Sequence, residues 1–337
     1  MTLIYAILIF CVLIFVHEFG HFFVAKACGV KVNEFAIGMG PVIYKRQKGE
    51  TQYSVRVLPI GGFCAMEGED EDSDEPRAFN NKPAWQRALV LAAGPLMNFL
   101  TCVVLFIIVY LVMGVATTTI GEVTEGYPAE AAGIKAEDTI LSIDGNKINK
   151  WSDVSIYTAA DNDKTVKITV DRNGKKLTFN VKLKYDKQSK RAIIGILSKG
   201  THNPIEAVKQ GCYSTGQMTV MMYKTIKQLI TGEESAKNLS GPVGIIYVVN
   251  ESAHAGVISV VYLAALLSLN LGVINLLPFP ALDGGRLVFL LIRKITGKKV
   301  TDNMEGMVHF VGLMCLFALM IYVTFNDVIR YIIPLFS

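Results

Sequence analysis

Residues 2–23 read TLIYAILIFCVLIFVHEFGHFF, and the way this stretch mixes its residue types decides the class of fold. From Thr2 to Val16 no residue is charged. A run of about 20 apolar residues is what a helix needs to span the hydrocarbon core of a bilayer. This one carries a histidine, a carboxylate and a second histidine in its last third. Ionisable groups inside a spanning segment are costly and usually mark function. A cleaved signal peptide is the competing reading. It would need a basic n-region and a small-residue cleavage site, and the stretch has neither, so it is expected to remain as a span.

Working outward, three more apolar blocks follow, at residues 88–115, 256–277 and 307–333. The whole chain has 337 residues, 51% hydrophobic and only 18% charged, which is too apolar for an average soluble protein. The expected fold class is therefore a polytopic α-helical membrane protein with about four transmembrane helices, and the lipid bilayer is its first partner. The net charge is +4 without a lysine- or arginine-rich tract, so no nucleic acid is expected as a partner. The cysteines (Cys11, Cys28, Cys64, Cys102, Cys212 and Cys315) form no CxxC, and residues 116–200 contain none. A disulfide framework is not expected, nor is cysteine as a metal ligand.

Short-loop lysines and arginines set orientation. Lys26, Lys31, Lys45, Arg46, Lys48 and Arg56 follow the first block; Arg286, Arg293, Lys294, Lys298 and Lys299 follow the third. Both loops are expected in the cytoplasm, with residues 116–255 outside. That insert changes character. Residues 140–145, ILSIDG, read as a strand entering a turn, and residues 167–170 and 177–183 alternate around Asn173-Gly174, a hairpin signal. Residues 204–231 read as an amphipathic helix able to lie on a membrane surface. The expected domains are 1–115, a first transmembrane pair; 116–186, a β-rich insert; 187–255, a linker with the amphipathic helix; and 256–337, a second transmembrane pair.

His17-Glu18-Phe19-Gly20-His21 fits H-E-x-x-H. Residues i and i+4 share one helix face, so both imidazoles can reach one cation, and Glu18 lies beside them to take a proton from water. Two interfacial histidines capping a helix are the plain alternative. A catalytic zinc needs three protein ligands and an open position. The best third ligand is Asp283 in NLLPFPALDGGR, residues 275–286, where two prolines end the third block and two glycines permit close backbone approach. The first and third spans run the same way across the membrane, which brings His17, His21 and Asp283 to similar depth. An aspartate in an ordinary turn is the alternative there.

These pieces resemble the site-2-type intramembrane zinc metalloproteases, of the bacterial subfamily that regulates sigma factors. The matching stretches are HEFGH, AAGPLMNF at 92–99, the insert, SGPVGI at 240–245 and NLLPFPALDGGR, in the family's order and over nearly the whole chain. The resemblance implies a Zn2+ cofactor held by His17, His21 and Asp283, and Glu18 as general base. It implies single-pass transmembrane protein substrates, anti-sigma factors or signal-peptide remnants, cut in regulated intramembrane proteolysis. It also implies the bacterial plasma membrane as location, and a membrane-associated, cytoplasmic-side β-hairpin ending at Gly61-Gly62-Phe63. An ordinary cytoplasmic hairpin is the plainer reading. Asparagines near the last motif bind substrate in that family, which points to Asn270 and Asn275; interhelical bonding is the alternative.

The insert resembles a PDZ domain in Gly121-Glu122-Val123, Gly126 to Ala129, Ala132-Gly133-Ile134, Asp138 and residues 140–145. Glu137 stands where such domains usually have glycine, and no glycine-rich carboxylate-binding loop is evident at 117–121, so a size filter or docking lid is as plausible as capture of a free C-terminus. Asn98 reads as a packing residue, and His202, His254 and His309 as surface or interface residues. A membrane-tethered PDZ adaptor and a metal transporter are the other function classes. The oligomeric state and the identity of the substrate are not readable from the sequence.

Overall fold

The computed structural model describes residues 2–69, 71, 73–159, 164–186, 191–235, 239–296 and 302–333. Lys298 and Lys299, used above for orientation, lie outside the described residues. The chain divides into two compact units, Met1–Phe106 with Gly211–Ser337, and Ile107–Gln210.

The first unit opens with helix α1, Thr2–Ala27. It ends where Gly29 takes a left-handed conformation, φ 69°, and turns the chain into strand β1, Val32–Lys48. Gly49, φ 64°, reverses it into β2, Thr51–Met66. The hairpin predicted between residues 42–46 and 52–58 is thus present but longer, and it bends over itself. Residues 42–48 pair with 51–56, while residues 32–37 lie opposite both 62–66 and 52–55. At the hairpin's base Val30, Val32, Phe35, Cys64 and Met66 are buried with Ala25 of α1, and with Val90 and Leu91 of helix α2, Ala84–Met113. Its far half leaves Met39, Val42, Ile43, Tyr44, Val57 and Leu58 uncovered.

The second unit is built on a sheet. Strand β3, Val115–Val123, follows α2 after a single residue, Gly114. A short helix α3, Pro128–Ala131, leads to β4, Thr139–Ile143, and β5, Asn146–Lys147. Helix α4, Trp151–Tyr157, precedes the hairpin of β6, Thr165–Arg172, and β7, Lys175–Lys182, which turns at Asn173-Gly174 with both residues at positive φ. Two three-residue strands, β8 at Lys184–Asp186 and β9 at Arg191–Ile193, pair with each other. Strand β10, Ile196–Thr201, then pairs with β3, giving the order β10-β3-β4-β6-β7. Residues 196–201 therefore complete the sheet instead of lying in a linker, because β3 would otherwise present an unpaired edge.

The core of this unit is aliphatic: Ile120, Ile140, Ile143, Val166, Ile168, Val170 and Val181 are fully buried. Among the described residues of this unit, Asp138 is a deeply buried charge. The Arg172 guanidinium grips it through two bonds, Nε to Oδ1 at 2.6 Å and Nη2 to Oδ2 at 2.7 Å. Burial alone would raise the Asp138 pKa, but this pairing holds it below the usual carboxylate range. Glu137, the departure from the glycine expected there, sits at φ 70°, so it holds the left-handed conformation that glycine adopts without cost. Residues 117–121 form part of an internal strand paired to β10 and β4.

The first unit resumes in helix α5, Pro204–Thr231, the predicted amphipathic segment. Helix α6, Pro242–Ala255, starts at SGPVGI, and the buried Asp327 carboxylate accepts the Gly241 and Gly244 N–H groups at 2.9 and 2.7 Å. A side chain at either glycine would crowd that carboxylate, which accounts for the motif. Helix α7, Val257–Asn275, α8, Asp283–Thr296, and α9, Asp302–Asp327, follow. Among the described residues, four helical stretches are long and apolar enough to cross a membrane: Ile4–Ala27, Ala84–Met113, Val257–Asn275 and Met304–Tyr331. They match the four blocks read from sequence to within a few residues.

Candidate active site

His17 and His21 lie one turn apart on α1, both buried, with their Nε2 atoms 3.3 Å from each other. Asp283, first residue of α8, places Oδ2 3.3 Å from His17 Nε2 and 3.5 Å from His21 Nε2. The histidines and Asp283 thus meet, though 262 positions of sequence separate His21 from Asp283 (283 − 21). A tetrahedral zinc with bonds of about 2.0–2.1 Å to nitrogen and oxygen has ligand-to-ligand edges of roughly 3.3–3.4 Å. The triangle fits that size.

The donor chemistry fits as well. The His21 Nδ1–H donates to the Val90 carbonyl at 2.8 Å, so its Nε2 faces Asp283 as a bare lone pair. Asp283 Oδ2 is buried without a hydrogen-bond partner. Lone pairs that converge in a buried space repel one another unless a cation lies between them. Two nitrogens and one carboxylate oxygen suit a catalytic zinc, which takes three protein ligands.

Glycines make this approach possible. A Cβ at Gly20 would stand 2.5 Å from the Ala93 carbonyl oxygen, and one at Gly94 would overlap the His21 ring. The AAGPLMNF stretch is therefore the surface of α2 on which the histidine helix rests. Ser268 Oγ of α7 donates to the Asn98 carbonyl at 2.9 Å, which fastens α7 to the same surface. Asp283 is delivered by a tight turn. Ala281 takes φ 75°, and its N–H donates to His309 Nδ1 on α9 at 2.7 Å. Gly284 and Gly285 press against the carbonyls of Leu277 and Phe279, and Gly312 of α9 lies against Pro280.

Glu18 stands beside the triangle and is only partly covered. Gly62 of β2 lies against its Cγ carbon, so the hairpin packs directly beside the general-base candidate. Asn270 is exposed and Asn275 half-buried at the end of α7; among the described residues neither amide has a hydrogen-bond partner. The interhelical bond considered for them is thus not formed.

Two residues have more specific contacts than the sequence reading gave them. Asn98, expected to pack against another helix, is completely buried with its amide 3.0 Å from His17 Nδ1 of α1. His309, expected at a surface or an interface, accepts the Ala281 N–H of the turn before Asp283. The spacing of Gly94 and Asn98, one helical turn apart like His17 and His21, was the available signal for the first. Nothing local in the sequence signals the second.

Residues 5–319 match the model of the peptidase family M50. This chain belongs to peptidase family M50. Membership makes it a zinc metalloprotease with zinc as cofactor, in a scaffold of apolar helices. A Clostridium acetobutylicum protein carrying the zinc metalloprotease name is 44% identical over 97% of each chain. Regulator of sigma-W protease RasP of Bacillus subtilis is 33% identical over 98% of each. Among solved structures, the PDZ domain of an SdrC-like protein from Listeria monocytogenes is 30% identical, covering 25% of this chain and 86% of that one, with a TM-score of 0.21.

Proposed function

We propose that this M50 protease cuts single-pass membrane proteins within or near the bacterial plasma membrane, using His17, His21 and Asp283 as metal ligands and Glu18 as general base. The observation that carries the reading is the convergence of His17 Nε2, His21 Nε2 and Asp283 Oδ2, with the histidines and Glu18 on a helix apolar enough to span. When bound, zinc lowers the pKa of water and polarises a carbonyl. Glu18 takes the proton of the attacking water and hands it to the departing amine. Gly62 of the hairpin packs against that side chain. A helical substrate hides its carbonyls in i→i−4 bonds and must unwind first. The hairpin strand that touches Glu18 offers backbone for an unwound segment to pair with. The free amides of Asn270 and Asn275 are suited to bind further backbone groups of that segment.

The lysines and arginines of the short loops support a reading with the His17 end of α1 toward the cytoplasm and the β-rich insert outside. The name of the Bacillus subtilis relative favours anti-sigma factors as substrates, trimmed by an earlier protease. In this reading the insert has a PDZ-like role without C-terminus capture, and excludes untrimmed ectodomains by bulk. Glu18→Gln tests the central claim on a model transmembrane peptide. Zinc content should stay at the wild-type level while cleavage disappears, because an amide cannot accept the water's proton. Near-normal turnover would remove Glu18 from its role. Metal flux into liposomes without peptide cleavage would instead favour a transporter.

A further inference from the structure

We infer that Asn98 is a positioning residue that holds His17 in the one tautomer able to bind metal through Nε2. The inference rests on the metal-site reading above. It begins from the way α2 meets α1. Val90, Gly94 and Asn98 recur every four residues and so share one face of α2. Val90 accepts the Nδ1–H of His21, Gly94 makes room for the His21 ring, and Asn98 reaches Nδ1 of His17. Each imidazole therefore has its Nδ1 answered by α2 and its Nε2 turned to Asp283.

For His21 the carbonyl of Val90 can only accept, which fixes its proton on Nδ1. For His17 the partner is an amide, which can accept or donate. As placed, Asn98 Nδ2 is the atom 3.0 Å from His17 Nδ1, while Oδ1 is buried without a partner. That arrangement would put the His17 proton on Nε2, facing Asp283, and would close the site to a metal. A half-turn about the terminal bond exchanges oxygen and nitrogen without changing shape. Oδ1 then accepts the Nδ1–H, and Nε2 is freed. The amide makes one bond to the ring either way, so what selects the orientation is the need of Nε2 for a metal. A metal-bound histidine ordinarily donates its other N–H to an oxygen, and loss of that oxygen costs about 10–100-fold in metal affinity. Asn98 is held for this task, since Ser268 bonds its backbone carbonyl and the residue is wholly buried.

The test is zinc affinity, measured by competition with a chromophoric chelator on the full chain in detergent. The visible spectrum of the cobalt-loaded protein and thermal stability without metal are recorded beside it. Asn98→Leu fills the space without an acceptor and should weaken zinc binding about 10–100-fold. Asn98→Asp presents only acceptor oxygens and should restore wild-type affinity and cobalt spectrum. Zinc binding by Asn98→Leu at wild-type strength would overturn the inference. So would an Asn98→Asp protein that melts like wild type yet binds zinc no better than Asn98→Leu, because the amide would then be a donor. Should Asn98→Leu fail to fold, Asn98→Ala takes its place in the comparison. His17→Ala separates the two claims: unchanged zinc affinity in that variant would sink the metal-site reading itself and the tautomer argument with it.

Discussion

The two units of this chain are sorted in opposite ways. In the sheet unit, isoleucines and valines lie inside and the charged residues outside, with the Asp138–Arg172 pair as the exception. In the helical unit, Ile4, Met307 and Ile321 are 65%, 70% and 69% exposed, while His17, His21, Asn98, Ser268 and Asp327 are buried. Water drives the first arrangement, because removing apolar surface from it is favourable by about 25 cal/mol per Å². Lipid provides no such drive between helices. There, close approach at glycines and hydrogen bonds between helices decide what packs. The lesson is that the buried polar residues of the helical unit are its specific contacts, and His17, His21 and Asn98 among them meet at the candidate site.

The sharpest way to break this comparison is to add one methyl group to the helical unit's interior. Gly94→Ala puts a Cβ against the His21 ring, and the ring must shift. A displacement of about 1 Å at a catalytic group can cost roughly 100-fold in rate. Cleavage should fall by about that factor, with zinc content falling beside it. An unimpaired Gly94→Ala enzyme would mean that α1 and α2 are not held as tightly as the contacts require.

In the sheet unit the corresponding test is the buried Asp138 carboxylate. Arg172→Ala leaves it without its main partner and should lower that unit's stability, read by proteolysis or hydrogen exchange. Zinc content should not change. The pH dependence has a definite sign. The folded pKa of Asp138 lies below its unfolded value of about 3.9, so its contribution is complete above that value and is lost as pH falls through the folded pKa. Arg172→Ala should flatten the acid limb of the wild-type stability curve, and an equally steep limb would assign it to other carboxylates. The smallest effect belongs to the outer apolar surface. Leu8→Ala and Ile321→Ala remove exposed side chains and should change stability by less than about 0.5 kcal/mol and zinc content not at all. A large loss would show that these faces are covered by protein and not by lipid.

Sequence alone determined the four long apolar helices, because a spanning helix needs little more than length and apolarity, and lipid enforces both. It determined the β6–β7 hairpin through Asn173-Gly174, and it singled out His17, Glu18, His21 and Asp283, since the metal motif is local and the aspartate stands in a turn marked by prolines and glycines. Strand β10 was not legible, because its place is set by the edge of β3 it completes and not by its own pattern. Only the tertiary structure decided the roles of Asn98 and His309. Asn98 acts through a ring 81 residues away, and His309 through a backbone N–H 28 residues away. Hydrogen bonds of this kind depend on where the fold brings two segments together, and no spacing within either segment encodes them.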